Sequence, residues 1–195
     1  MLNNVSATKI IFIFFALCFF FLRLGTVKAN KKSQKIEGHV YAAWTHKALF
    51  FLYFVMFFST LLEFIFIRKF WNLYAAIPGI IICIAGFNAR KWATSTLGKY
   101  WSNNVEIRID HPVIKEGPYK YVRHPNYLFL SMEFFGFAMF GNAWWTMVLL
   151  IFTFVPVIIS RIVIEEKRMI EKTGDAYLEY KKEVPAFFPF KLKRE

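Results

Sequence analysis

The chain has 195 residues, 57% of them hydrophobic and 21% aromatic, with 25 Phe and a formal net charge of +12, and its mean hydropathy is +0.39. That composition excludes an ordinary soluble domain and fits a polytopic membrane protein. The basic excess is spread over several polar segments that form no nucleic-acid-binding module, so it reads as membrane topology and attraction to anionic lipid heads.

A membrane span needs roughly 20 mostly apolar residues. The first candidate is residues 7–24, where Lys9 and Arg23 can snorkel to opposite faces. The same stretch, with Lys9 ahead of apolar residues 10–22, also has the outline of a secretory signal peptide. Residues 47–67 and 71–87 are the second and third candidates, and a polar stretch over 88–126 follows. Residues 127–140 and 143–164 are the fourth and fifth, with Gly141 and Asn142 as the turn of an antiparallel hairpin. The fourth is short, which predicts a tilted span or a tight pairing with the fifth.

Residues 165–182 predict a helix that leaves the membrane, breaks at Gly174 and restarts as a short amphipathic turn, while VPAFFPF at 184–190 is held extended by its prolines. Cys18 and Cys83 lie in apolar spans with no C-x-x-C pair, which predicts reduced core residues. The fold expected is therefore all-α: a polytopic integral membrane helix bundle with about five transmembrane helices. Residues 1–103 form the first three helices and their connections, and residues 104–195 form a second region that includes the last two. With five spans, 22 Lys and Arg fall on one side and 3 on the other. The positive-inside rule then places the N-terminus outside, and the polar loop and C-terminus in the cytoplasm.

Common chemical signatures are missing from this sequence. It has no G-x-G pair, no G-x-S-x-G elbow and no H-E-x-x-H, and its four histidines are scattered, so no metal centre is expected. Two constellations remain. In the first, His111 through Tyr127 (HPVIKEGPYKYVRHPNY) packs prolines, tyrosines, Arg123 and His124 into one polar run. Pro125 suits the first position of a helix, which would place the amides of Asn126, Tyr127 and Leu128 beside His124 as an anion-attracting end. The plainer reading of this run is a helix cap within an interfacial tyrosine belt.

The second constellation is RIVIEE, in which Arg161 and Glu165 are four apart and share a helix face where the fifth span leaves the bilayer. Its plainer reading is an interfacial ion pair. Glu63 and Glu133, inside apolar spans, mark cavity or pairing positions. The sequence assigns no individual role to them or to Glu166.

Together, HPVIKEGPYKYVRHPNY, RIVIEE and GDAYLEYKKEVPAFFPF resemble the isoprenylcysteine carboxyl methyltransferase family of integral membrane enzymes, over roughly residues 104–190. The chain is shorter than eukaryotic members and resembles a compact prokaryotic or archaeal type. The resemblance implies S-adenosyl-L-methionine as methyl donor and the carboxylate of a prenylcysteine or similar lipophilic acceptor as its target. It implies that Asn104, His111, Pro112, Val113, Ile114, Tyr119, His124, Pro125, Asn126, Tyr127 and Glu165 bind the cofactor. It implies that Arg161 is the catalytic residue that binds the acceptor. The partners expected are that acceptor and membrane lipid, with no nucleic acid and no obligate protein partner evident.

Two enzyme readings compete. A phospholipid amine N-methyltransferase shares the R-H-P-x-Y and E-E pattern and would need a base, for which Glu165, Glu166 or a water they hold are the candidates. An NADPH-dependent membrane sterol reductase shares R-H-P-N-Y alone. A non-enzymatic membrane scaffold is the remaining alternative.

Overall fold

A computed structural model describes residues 2–31, 38–67, 71–108 and 112–187. The helices, in chain order, are α1 (Leu2–Lys31), α2 (Ala43–Leu62), α3 (Leu73–Leu97), α4 (Pro125–Phe140), α5 (Trp144–Thr173) and α6 (Asp175–Glu183). Among the described residues, Ala43–Ile67, Leu73–Tyr100 and Trp144–Thr173 are long and apolar enough to cross a membrane. The helix α4 has 16 residues, which at 1.5 Å per residue is about 24 Å, less than a bilayer core of about 30 Å.

Successive long helices run antiparallel. Lys9 near the start of α1 donates to the carbonyl of Ile65 beyond the end of α2, and Tyr53 of α2 donates to the carbonyl of Phe20 on α1. The Phe-rich core closes this arrangement: Phe12 of α1 is tilted against Phe64 at 4.0 Å, Phe19 stacks on Phe137 of α4 at 4.9 Å, and Phe134 stacks on Phe154 of α5 at 4.6 Å. Cys83 is in this core, whereas Cys18 points outward from the bundle. The expectation that both are core residues is corrected for Cys18, whose position on α1 turns away from the helices that bury Phe12 and Ala16.

The closest helix pair is α3 with α4, because small residues let the two backbones meet. A Cβ on Gly136 would lie 2.6 Å from the amide nitrogen of Cys83, and one on Gly86 would lie 2.8 Å from the carbonyl oxygen of Phe129. From α4 the chain turns through Gly141 and Asn142, the latter at φ +52°. The Asn142 side chain accepts from the amide of Asn72 at 2.7 Å and donates to its carbonyl, which pins the start of α3 to the hairpin. Glu63 receives a role here: where the end of α2 widens into a π turn, its carboxylate accepts from the amides of Trp145 and Thr146. It caps the positive N-terminus of α5 from a neighbouring helix.

Two departures from the expected all-α bundle matter for the site. The first is a two-stranded antiparallel ribbon, β1 (Gly38–Tyr41) with β2 (Val105–Arg108), in which Tyr41 faces Val105. The second is that α3 stays helical to Leu97, ten residues past its apolar run. Strands of four residues carry too little alternation to be recognised against an apolar background. Both features carry residues 101–106 back over one end of the bundle. As expected, α5 ends at Gly174, at φ +56°, and α6 starts immediately after it.

Candidate functional site

The end of the bundle formed by the late turns of α1, α3 and α5 and the early turns of α2 and α4 holds two adjoining cavities. The first encloses about 770 Å³ of empty space, part of it open to solvent, and lies between the polar loops, α6 and the exit of α5. The second, about 650 Å³ of empty space that is likewise partly open, lies among the helices. Trp101, Ser102, Asn126 and Tyr127 line both and so form the partition.

Most of the expected cofactor residues meet at the first cavity: Asn104, Val113, Ile114, Tyr119, His124, Asn126, Tyr127 and Glu165 line it. Pro125 does not; it is buried at the first position of α4 and shapes the helix start. Pro112 is exposed and away from the lining. His111 falls outside the described residues. Arg161 lines the second cavity with Tyr127.

Arg161 and Glu165 do not bond to each other as the four-residue spacing suggested. Tyr127 stands between them: its hydroxyl donates to Glu165 Oε2 at 2.6 Å and accepts from Arg161 Nε at 3.3 Å. Arg161 is 3% exposed, and a buried guanidinium needs its donors satisfied. Its Nη1 donates to Thr45 Oγ1 at 2.7 Å and its Nη2 to the carbonyl of Asn103 at 2.8 Å. These contacts fix the plane of the guanidinium and leave two of its five N–H groups for a ligand.

Behind the first cavity, Glu166 ties three elements together. Its Oε1 accepts from Arg123 Nη2 at 2.9 Å and faces His124 Nε2 at 3.0 Å, and its Oε2 accepts from Lys181 of α6 at 2.6 Å. Arg123 also donates to the carbonyls of Lys181 and Val184. The amides of Arg123 and His124 donate to the carbonyls of Pro185 and Ala186, so the extended tail segment closes against the R-H-P turn.

The anion-attracting amides expected at the start of α4 are corrected for two of the three. Those of Tyr127 and Leu128 are already spent on the carbonyl of His124, at 3.2 and 3.1 Å, because the residue capping a helix offers its carbonyl to the first turn.

Tyrosines form much of the first cavity's far wall. Burial pushes the phenols of Tyr119, Tyr177 and Tyr180 above their ordinary value, and the Glu165 carboxylate adds to this at Tyr119 and Tyr177. They stay neutral donors near pH 7, and Tyr180 uses its hydroxyl to hold the carbonyl of Tyr119 at 2.6 Å. Sequence reasoning left out Tyr100, Trp101, Met169, Tyr177 and Tyr180 as lining residues. The last three repeat along α5 and α6 at helical spacing, a signal indistinguishable in sequence from ordinary core packing.

A frame of apolar helices thus carries two adjoining cavities at one end, one walled largely by polar loops and tyrosines and the other by helix residues, and they share a partition. Residues 79–171 match the family described as Isoprenylcysteine carboxyl methyltransferase (ICMT) family. Over that stretch the chain is similar to the isoprenylcysteine carboxyl methyltransferase family. The chain is 32% identical over 126 residues to Protein-S-isoprenylcysteine O-methyltransferase of Saccharomyces cerevisiae, covering 57% of this chain and 48% of that protein. It is 23% identical over 150 residues to Uncharacterized protein YpbQ of Bacillus subtilis, covering 76% of this chain and 88% of that one. The chain thus spans about half the length of the yeast relative it matches.

Proposed function

We propose that the protein is a membrane methyltransferase that uses S-adenosyl-L-methionine to methylate the carboxylate of a prenylcysteine or a similar lipophilic acid. The observation that carries this reading is the pair of cavities meeting at Tyr127, with Glu165 behind its hydroxyl on one side and Arg161 on the other. The family match and the yeast relative's name support the same chemistry.

The residues of the first cavity fit the donor. Its lining mixes aromatic side chains with a few convergent polar groups, as sites for polar aromatic ligands do. Tyr100, Trp101 and Tyr177 offer ring faces to an adenine or a sulfonium. Glu165 accepts hydrogen bonds from hydroxyl or amino groups, and Asn104, His124 and Asn126 add polar contacts. Bound there, S-adenosylmethionine would supply an electrophilic methyl group on a positively charged sulfur.

The chain's own work is placement. A carboxylate acceptor is anionic at neutral pH, so no residue has to remove a proton from it. Arg161, held by Thr45, Tyr127 and the Asn103 carbonyl, presents its remaining donors to that carboxylate in a forked contact. The partition residues align the acceptor's oxygen with the donor side, and such positioning supplies up to about 7 kcal/mol of barrier lowering. The apolar wall of the second cavity, with Leu49, Phe50, Leu130 and Phe134, excludes water and receives the lipid chain. Arg23, Arg90 and Arg161 line that cavity and no carboxylate does, among the described residues. That charge favours an acid over a protonated amine acceptor.

In this reading five helices cross the bilayer, with α1 and α4 joining the three that are long and apolar enough. The N-terminus is outside, the first cavity faces the cytoplasm, and residues 104–195 supply most of the donor site. The test is methyl transfer from tritiated S-adenosylmethionine to S-prenylcysteine derivatives and to phospholipid amines by the detergent-purified protein. Ester formation on the prenylated acid is expected; transfer confined to the amine lipid would overturn the reading.

A further inference from the structure

The second cavity contains a charge arrangement that Arg161 alone does not explain. Glu133, midway along α4 and 1% exposed, stands between two guanidiniums from different helices: Arg23 Nε of α1 and Arg90 Nη1 of α3, each 3.5 Å from its carboxylate. Neither Glu133 oxygen has a hydrogen-bond partner among the described residues. The carboxylate does not itself line the cavity, whereas both guanidiniums do. Glu133 therefore acts from behind, as a counter-charge that fixes two cations at the wall of an apolar chamber.

Arg90 is also tied forward. Its Nε donates to Asn126 Oδ1 at 3.0 Å, and Asn126 belongs to the partition between the cavities. Arg23 differs in origin: it comes from α1, outside the stretch 79–171 that matches the family.

We propose that Arg23, held by Glu133, is a specificity-determining residue of the second cavity, where it recognises the anionic headgroup of a lipophilic acid. This rests on the proposed function for the identity of the chamber and deepens it by assigning α1 a part in choosing the acceptor. Arg161 holds the reacting carboxylate beside the partition, while Arg23 supplies positive potential from α1 and discriminates against headgroups that carry no negative charge.

The experiment measures binding without methyl transfer. Detergent-purified protein saturated with S-adenosylhomocysteine is titrated with a prenyl thioether acid and with the alcohol made by reducing its carboxyl group. Wild type is expected to prefer the acid. Arg23→Gln is expected to weaken the acid at least about tenfold, a charged-group loss of ordinary size, with the alcohol changed less than about twofold. Its affinity for S-adenosylhomocysteine is expected to stay at the wild-type value. Arg23→Lys, which keeps the charge beside Glu133, is expected to restore most of the acid preference.

If glutamine leaves Glu133 uncompensated and the chain fails to fold, Arg23→Gln with Glu133→Gln, which removes both charges, is read instead with the same expectation. An acid-to-alcohol ratio unchanged in the variants, or a wild type that binds acid and alcohol equally, overturns the inference. A wild type that binds the acid selectively but never methylates it would overturn the proposed function and leave this inference standing.

Discussion

Arg161 and Glu165, one turn apart on α5, are joined through the hydroxyl of Tyr127 rather than to each other. The phenol donates its one proton to the carboxylate and accepts from the guanidinium, so it sets the position of both. Tyr127→Phe removes those two hydrogen bonds while keeping the ring that His124 stacks on at 5.9 Å. We expect turnover to fall about tenfold or more, with donor affinity falling only a few-fold, because each lost hydrogen bond to a charged group is worth about 1.5–3 kcal/mol. Single-turnover rates beside equilibrium donor binding check this split.

Glu166 predicts a different phenotype from its neighbour. It meets Arg123, His124 and Lys181 at once, so Glu166→Ala leaves two cations facing each other and loosens α6 from the R-H-P turn, which then holds it only through the bonds of Arg123 and His124 to the tail's carbonyls. A loss of about 3 kcal/mol is expected, as for breaking a largely buried pair. Hydrogen exchange of the Tyr177 to Val184 amides should accelerate first, ahead of the amides in α3 and α4.

Gly136→Ala is predicted to lower the melting temperature. The added methyl would meet the Cys83 nitrogen at 2.6 Å and the Gly79 carbonyl oxygen at 2.9 Å, and backbone atoms cannot rotate away as a side chain can. Overpacking of this kind costs about 1–3 kcal/mol. Donor affinity of the folded fraction is expected to be unchanged, since α4 meets α3 here away from both cavities.

Alkaline pH probes the tyrosine wall. Burial raises the folded-state values of Tyr119, Tyr177 and Tyr180, so the neutral phenols stabilise the fold in full below the unfolded value of about 10. That contribution is lost as pH rises from there through the folded-state values. Thermal melts between pH 8 and 12 should fall above about pH 10. Tyr180→Phe, which also gives up the bond to the Tyr119 carbonyl, should be less stable at pH 8 and show a shallower alkaline fall.

Much of the frame was legible because apolar runs and turn residues act locally. The hairpin turn at Gly141 and Asn142, the helix start at Pro125 and the break at Gly174 each follow from backbone preferences of those residues. That His124, Tyr127 and Glu165 line one cavity was implied by the family resemblance of their segments and not by periodicity. What stayed hidden depends on partners far apart in the chain. Glu63 and Glu133 read as costly charges in apolar helices until Thr146, Arg23 and Arg90 were seen around them. The β1–β2 ribbon joins segments more than sixty residues apart, and neither strand is long enough to announce itself. Two of the three amides expected to be free at α4, those of Tyr127 and Leu128, are taken for a local reason, since His124 offers them its own carbonyl.

The most direct test of the two-compartment site is equilibrium binding of tritiated S-adenosylmethionine to wild type, Arg161→Ala and Glu165→Ala, with methyl transfer to a prenylated acid measured on the same preparations. The account predicts that Glu165→Ala loses donor binding, and that Arg161→Ala keeps it while losing turnover by at least about 100-fold, the scale of a lost positioning contact. Retained methylation by Arg161→Ala, or donor binding that survives in Glu165→Ala, would contradict it.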